Sequence, residues 1–454
     1  MKYDYTGKKV LVVGMAKSGI SAAKLLKKLG AETAIYDRRP AEDFAQNGAV
    51  IALLKTGVID FLGKDADAAE AWAEALVLSP GVPVKQPFLE RAMQNGKEVI
   101  SEIELGYQTA KAEFVGIGGT NGKTTTTALT GEIFKNAGRK TYVLGNIGLP
   151  ICEYALETRP GDTIVAEIAA LQLETIRTFH PRAFALLNIT EDHQDRFGNM
   201  EYYTYCKMRA FENQGPEDYA VLNLDDPITA AQREKVKSRL LLFSRKQEVE
   251  EGAFVRDGKI IFRLAGKEQE VCPVEQIRIP GNHNLENALA AVCLAMCRGI
   301  AASVVAYTLK TFPGVEHRIE FVRTVQGVDF INDSKGTNPD STIKAIETMK
   351  KPTILILGGY DKHSEFDELF AHFTDKIVGI VILGATKQKI LSAAERAGVT
   401  NIQLADSFEQ AVRMAYAAAP AGGTVLLSPA CASWDMFDNF EQRGEVFKQL
   451  VETF

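Results

Sequence analysis

The chain has 454 residues, 46% hydrophobic and 24% charged, with a formal net charge of -6. That balance suits a globular protein, and the length suits about three domains. A mildly acidic chain gives no electrostatic reason to expect nucleic acid or an anionic membrane surface as partner. No run of about 18 uncharged apolar residues exists to span a bilayer.

The N-terminus, "MKYDYTGKKVLVVG", carries an apolar run too short for a signal peptide and leads straight into a glycine turn. "KVLVV" (9–13) reads as a buried strand, "SGISAAKLLKKLG" as a helix closed by Gly30, and "ETAIYD" (32–37) as the next strand. "ALVLSPGVP" (75–83) is a strand ending in a tight turn, and the charged stretch "SEIELGYQTAKAE" leads out of this unit near residue 108. Strand–helix–strand alternation of this kind implies a parallel sheet with right-handed crossovers. A second unit opens with the strand "EFVGIGG" and continues through "TYVLGN", "DTIVAEI" and "AFALLNI". "GAFVRDGKIIFRLAGKEQEV" has the alternation and turns of hairpins. "NHNLENALAAVCLAMCRG" is a long helix in which Cys293 and Cys297, one turn apart, read as buried thiols. The third unit, from "FPGVEHRIEFV", alternates again through "TILILGG", "GIVILGA", "NIQLAD" and "TVLLSP". The six cysteines form no C-x-x-C pair, so a reducing cytoplasm and no structural zinc are expected.

The chemistry is concentrated in "VGIGGTNGKTTTTAL" (115–129). The Gly-Lys-Thr sits between an apolar strand and a potential helix, where helix amides and glycines can surround a phosphate. The usual loop, G-x-x-x-x-G-K-[ST], would need glycine at Ile117. In a nucleotide loop for ATP or GTP, Lys123 reaches the β/γ-phosphates and Thr124 offers a hydroxyl to Mg²⁺; the bland alternative is a lysine at an ordinary helix start. Glu167 ends a strand, as a metal-binding or merely solvated carboxylate. "NITEDHQDR" places Asp192, His193 and Asp195 after another strand, as a metal cluster or a capped turn. Lys207, read from its neighbours alone, is a helix-surface lysine. In the first unit "GMAKSGISAA" has Gly14 and Gly19 of a dinucleotide fingerprint but Ala16 in its middle, and Asp37 ends the next strand. An NAD-dependent dehydrogenase and a P-loop switch or motor therefore stay open as alternatives.

"GTNGKTT", with one residue fewer between its glycines, resembles the ATP loop of the Mur ligase family, where Ile117 is the expected spacing. The resemblance runs on through "GNIG", "ITEDHQDRF", "GNHNLENALAA", "VEHRIE", "NDSKGTN" and "LSPACASWDMFDNFEQRGEVF". It implies an α/β fold of three domains. A Rossmann-like N-terminal domain (1–108) binds the UDP-substrate, a central P-loop ATPase-type domain (109–314) binds ATP, and a C-terminal Rossmann-like domain (315–454) binds the amino acid. The "DSKGTN" lysine and "SPACAS…FEQRG" block point to the member type that joins D-glutamate to UDP-N-acetylmuramoyl-L-alanine. The "DNPR" signature of diamino-acid ligases is absent. Another Mur-type amino-acid ligase is the nearest alternative.

The same resemblance distributes roles. ATP is held between the second and third domains by Gly119, Thr120, Asn121, Gly122, Lys123, Thr124 and Thr125, with Asn287 at the adenine. Arg318, Asp333 and Lys335 reach it from the third domain on closure. Two Mg²⁺ ions fall to Thr124, Glu167, His193 and Lys207, the lysine as a CO₂-derived carbamate, and Lys123, His193 and Lys207 are catalytic. Lys17, Ser18, Asp37, Arg38 and Ser79 contact the uridine diphosphate, and Asn146 and Gln172 the sugar-peptide. Thr337, Lys362 and Ser433 bind D-glutamate, with Phe440 packing nearby. A cytoplasmic monomer with these small-molecule partners is implied. Two departures stand out: Ala169 and Ala170 replace the family's serines after Glu167, which clouds substrate affinity, and Gly336 replaces an alanine, a change expected to be minor.

Overall fold

The computed structural model describes residues 3–192, 194–360 and 364–454, and among these residues three sheets form. The first has strands β1 (Lys9–Val13), β2 (Glu32–Tyr36), β3 (Ile59–Asp60), β4 (Ala75–Leu78) and β5 (Glu98–Ser101), all parallel, in the order β3-β2-β1-β4-β5. β4 is buried along its whole length, the pattern of a strand covered on both faces. Apolar clusters accordingly lie on either side of the sheet, one around Val10, Val12 and Leu26 and the other around Leu11, Leu76 and Phe88. Gly19, in the helix Lys17–Lys28, permits the packing: a Cβ there would lie 1.8 Å from the Gly14 carbonyl oxygen.

The second sheet comprises β6 (Glu113–Gly118), β7 (Thr141–Gly145), β8 (Thr163–Glu167), β9 (Ala183–Leu186), β10 (Tyr219–Asn223), β11 (Arg239–Ser244), β12 (Gly252–Arg256), β13 (Lys259–Leu264) and β14 (Lys267–Pro273). Their order is β14-β13-β12-β11-β10-β9-β6-β8-β7; β12 to β14 pair antiparallel, as the hairpin pattern predicts. The third sheet contains β15 (Glu320–Val325), β16 (Val328–Asn332), β17 (Thr353–Gly358), β18 (Ile377–Leu383), β19 (Ile402–Leu404) and β20 (Thr424–Leu427), ordered β15-β16-β20-β17-β18-β19. Only β15 runs against its neighbour, so the fold is the mixed α/β arrangement the alternation predicts.

The chain forms two compact units, residues 3–277 with 285–312, and 278–284 with 313–454. Within the first, the stretch read as a charged exit is the helix Glu102–Thr109, and two of its glutamates are buried, Glu102 1% and Glu104 0% exposed. Glu104 accepts from the amides of Arg177, Thr178 and Phe179 and from Thr178 Oγ1, so its charge is dispersed over donors rather than water. Glu102 Oε1 accepts from the Cys152 amide at 2.7 Å, while its Oε2 is buried without a partner. Burial pushes this carboxyl up to about 7. All six cysteines are free thiols.

Candidate active site

In the central sheet the strand registers converge on one edge. Glu167 pairs with Ile117 and Gly145, and Leu186 pairs with Gly118, so the segments following β6, β7, β8 and β9 leave the sheet side by side. β6 lies where the order reverses, between β9 and β8, the crevice in which open α/β sheets bind ligands. The loop after β6 enters the helix Lys123–Asn136 at Gly122, in left-handed backbone at φ 84°. A Cβ at Gly122 would also lie 2.3 Å from Asn287 Oδ1, so both conformation and space demand glycine. Asn188 Oδ1 accepts from the amides of Thr120 (3.1 Å) and Asn121 (2.8 Å), and its Nδ2 donates to the Asn121 carbonyl. Lys123 Nζ donates to the carbonyls of Gly119 (2.9 Å) and Thr120 (2.7 Å). Thr124 and Thr125 are buried at the helix start.

Glu167 is 2% exposed, which excludes a solvated strand end. Asn146 Nδ2 donates to its Oε1 at 2.7 Å, and its Oε2 is buried with no hydrogen-bond partner. A buried carboxylate oxygen without a donor suits a hard cation, which takes oxygen ligands. Lys207 is no helix-surface lysine: it is 3% exposed, with Nζ 4.4 Å from the centroid of the Tyr203 ring. Burial, reinforced by the charge of Lys123 and opposed by Asp192, holds its ammonium well below the usual lysine range. The Tyr203 hydroxyl meets Thr120 Oγ1 at 3.4 Å, linking this helix to the phosphate loop. Gln172 is 2% exposed and its Oε1 accepts from the Ala169 amide, so it caps the short helix Ala170–Leu173. Ala169, at the N-cap, has no side-chain acceptor to return the bond, so the alanine is felt as a half-capped helix. His193 and Lys362 lie outside the described residues, as does the side chain of Asp195.

In the N-terminal sheet a cavity of 620 Å³ opens at the switch between β1 and β4. Val13 to Ala16, Tyr36 to Arg39, Ser79 to Pro83 and Gln86 line it, so Asp37, Arg38 and Ser79 are together on its wall. Lys17 and Ser18 begin the helix immediately after lining residue Ala16. Ser79 Oγ donates to the Gly14 carbonyl at 2.7 Å. Arg39, unmarked by the sequence pattern, binds Asp37 through both Nε and Nη2 at 3.1 Å. Burial alone would raise the Asp37 carboxyl, but the hydrogen bonds from Arg39 and the Met15 amide hold it below its ordinary value.

The C-terminal sheet likewise aligns loop ends at one edge, since Leu427 pairs with both Asn332 and Ile356. Asp333 is 2% exposed and accepts from Ser428 Oγ at 2.7 Å; burial, against the pull of Arg318, pushes it up to about 6. Lys335 Nζ stands 5.1 Å over the Phe440 ring. Thr337, two residues on, is partly exposed, and Ser433 is 1% exposed. His317 (φ 63°) and Ile319 (φ 46°) hold left-handed backbone on either side of Arg318, which costs about 1–3 kcal/mol per residue and persists only where the surroundings fix it. His317 is clamped by Asn332 Nδ2 at 3.0 Å and the Ile319 amide by Asp333 Oδ1 at 3.2 Å. The Arg318 Nε is buried without a partner. Arg443, 1% exposed, donates to Ser334 Oγ and to the carbonyls of Ser334, Cys431 and Ala432, stitching the "DSKGTN" and "SPACAS" loops together. Burial lowers its guanidinium to about 10. Gly336 is not an innocuous replacement: a Cβ there would lie 2.5 Å from Asp333 Oδ2 and 2.7 Å from Ser428 Oγ.

A glycine-rich loop at the switch point of one α/β sheet, preceded and followed in the chain by two further α/β sheets, defines a three-domain α/β protein with the geometry of a nucleotide site. Family models match accordingly: the Mur ligase MurD-like N-terminal domain over residues 8–101, the Mur ligase middle domain over 117–295, and the Mur ligase glutamate ligase domain over 317–431. The chain belongs to the Mur ligase family, and the dehydrogenase and switch-protein alternatives fall away. It is 48% identical over 451 residues to the UDP-N-acetylmuramoylalanine–D-glutamate ligase of Thermoanaerobacter pseudethanolicus, covering 99% of both chains. It is also 48% identical to the enzyme of that name from Caldanaerobacter subterraneus subsp. tengcongensis, covering 98% of both. Among solved structures, the UDP-N-acetylmuramate-alanine ligase of Thermotoga maritima aligns with a TM-score of 0.60 at 17% identity, over 98% of this chain and 99% of that one. MurF from Acinetobacter baumannii aligns with a TM-score of 0.62 at 16% identity, over 98% and 92%. These two likenesses speak for the fold.

Proposed function

We propose that the chain is an ATP-dependent ligase that forms the amide bond between D-glutamate and UDP-N-acetylmuramoyl-L-alanine, releasing ADP and phosphate, in peptidoglycan precursor synthesis. The observation that carries this reading is the 48% identity, over 99% of both chains, to a relative named for that reaction. The γ-phosphoryl group of ATP passes to the terminal carboxylate of the UDP-substrate, giving an acyl phosphate. The D-glutamate amine then adds to the acyl carbon, and the tetrahedral intermediate collapses with loss of phosphate.

Lys123 is read as the cation that follows the transferring phosphoryl group, with Gly119, Thr120, Asn121, Gly122, Thr124 and Thr125 around the phosphates and Asn287 at the adenine. Charge stabilisation aimed at the transition state is the main help a protein can give phosphoryl transfer. Mg²⁺, when bound, neutralises the phosphate oxygens and polarises the transferred group. Thr124, Glu167, His193 and Lys207 are the residues assigned to hold two such ions, a reading supported by the orphaned Glu167 Oε2. For Lys207 the finer reading is a carbamate, formed as the neutral amine adds to CO₂ and loses a proton. Its burial and lowered basicity favour the neutral amine that this addition needs.

Lys17, Ser18, Asp37, Arg38 and Ser79 are assigned to the uridine diphosphate, and Asn146 and Gln172 to the sugar-peptide. Arg318, Asp333 and Lys335 are assigned to ATP, and Thr337, Lys362, Ser433 and Phe440 to D-glutamate. The domains are taken as 1–108, 109–314 and 315–454. No described helix is long and apolar enough to cross a membrane. The reading further takes the enzyme as a cytoplasmic monomer, a compartment that suits six free thiols. Phosphate release measured with UDP-N-acetylmuramoyl-L-alanine and a panel of D- and L-amino acids tests it: turnover should require ATP, the UDP-substrate and D-glutamate together. Turnover with another amino acid in preference to D-glutamate would reassign the chain within the family.

A further inference from the structure

We infer that Arg196 is a positioning residue that couples the seating of the UDP-substrate in the N-terminal cavity to the catalytic loops of the central sheet; the inference rests on the functional reading above. Arg196 Nη2 donates both to the Val82 carbonyl at 2.9 Å and to Glu174 Oε2 at 2.5 Å. Val82 lines the 620 Å³ cavity, and its amide is bonded to the carbonyl of Ser79 on the same wall. Glu174 follows the short helix that leads from Glu167, and Arg196 lies four residues beyond Asp192. One guanidinium thus ties the nucleotide-side loop, the segment behind the metal-side glutamate, and the Asp192 loop.

A second contact reinforces the strap. Lys85, at the far end of the cavity loop, stands 5.6 Å over the ring of Tyr202, on the helix Met200–Met208 that carries Lys207. Arg209, directly after that helix, donates to the carbonyls of Leu173, Glu174 and Ile176, fixing the Glu174 segment from the other side. The Arg196 and Glu174 side chains are only 12% and 2% exposed. A pair withdrawn from water to this degree is weak as a source of stability, and what it supplies here is a fixed geometry between two loops. The chemistry needs such a fix, because the UDP end of the substrate is held by one sheet while its carboxylate reacts at another. Displacement of the cavity loop against the Asp192 loop by about 1 Å is enough to cost on the order of 100-fold in rate.

The test compares the full-length wild type with Arg196→Lys and Glu174→Gln at a temperature where circular dichroism shows all three folded. Arg196→Lys keeps the charge beside Glu174 but loses the planar fork, and Glu174→Gln keeps an acceptor and the packing. Binding of UDP-N-acetylmuramoyl-L-alanine without ATP, measured by calorimetry, should stay within about threefold of wild type, while kcat for ligation falls about 10- to 100-fold and KM for ATP holds. A kcat within about twofold of wild type in both variants would overturn the coupling. So would a loss of substrate binding that matches the loss of kcat, since Arg196 would then merely shape the cavity. If the wild type itself releases no phosphate with these substrates, the functional reading fails and the coupling falls with it; an active wild type beside unaffected variants sinks the coupling alone.

Discussion

The ammonium of Lys207 lies 4.4 Å from the centre of the Tyr203 ring, one turn earlier on the same helix, while Tyr203 touches Thr120 of the phosphate loop through its hydroxyl. A lysine in that place is shielded from water and pressed by the charge of Lys123. Lys207→Ala should lose at least about 100-fold in kcat, the scale set by removing one charge-stabilising group. A short-chain carboxylic acid should partly restore turnover by supplying oxygens in place of a carbamate. Phosphate release in the variant with and without added acid is the measurement, and wild-type activity in the unaided variant would remove Lys207 from the mechanism.

Lys123 donates to two carbonyls of its own loop and is read above as the cation that follows the transferring phosphoryl group. Lys123→Ala should reduce kcat by about 10²–10³ or more with an unchanged circular dichroism spectrum, because alanine is well tolerated at a helix start. Near wild-type ligation would exclude the loop from phosphoryl transfer.

Glu102 gives a pH dependence of stability. Burial raises its carboxyl from 4.5 to about 7 in the folded chain, so between those values the native state holds a proton that the unfolded chain has released. The associated stability is complete below about 4.5 and is lost as pH rises through about 7. Glu102→Gln never ionises, so at pH 8 it should gain roughly 3 kcal/mol on wild type relative to acid conditions, at about 1.4 kcal/mol per pH unit. Urea denaturation of both proteins at pH 5 and pH 8 measures the difference; the same gap at both would mean that Glu102 does not titrate in this range.

Gly336 leaves room for the Asp333–Ser428 hydrogen bond, because a Cβ there would approach both side chains to 2.7 Å or less. Gly336→Ala should spread the pair and, with Asp333 read as an ATP-side residue, raise KM for ATP by about 3- to 10-fold, the scale of one hydrogen bond. KM for the UDP-substrate should stay put. An unchanged KM for ATP would show that the pair yields at no cost.

The strands and the strand–loop–helix around Gly-Lys-Thr are legible because their signals are local: apolar runs bounded by glycine turns, and a glycine-led start to the helix. What stays hidden depends on partners distant in the chain. Glu102 and Glu104 look like surface charge until residues 152 and 177–179 supply their donors. Lys207 reads as a surface lysine because its helix has no apolar stripe strong enough to reveal which side is covered. Asn188 lies two residues past the end of β9, in the apolar run "AFALLNI", with nothing to mark it as the clamp of the loop some 67 residues earlier. Arg39 carries no sequence mark beside Arg38, since its pairing with Asp37 follows from backbone direction, and both arginines line the cavity. Gly336 reads as a minor change because the atoms a Cβ would meet include Ser428 Oγ, which is distant in the chain and brought near only by the sheet.

The acceptors of Arg443 bear on how this enzyme can change over time. Three of the four are main-chain carbonyls, which any residue type supplies. Substitution at 431 or 432 therefore leaves those contacts available so long as the backbone keeps its path, and the loops can drift in side-chain chemistry without losing their mutual alignment. The arginine has no such latitude, because no other side chain presents several donors in one plane. The C-terminal domain thus joins a fixed fastening to loop surfaces whose side chains can be exchanged one at a time.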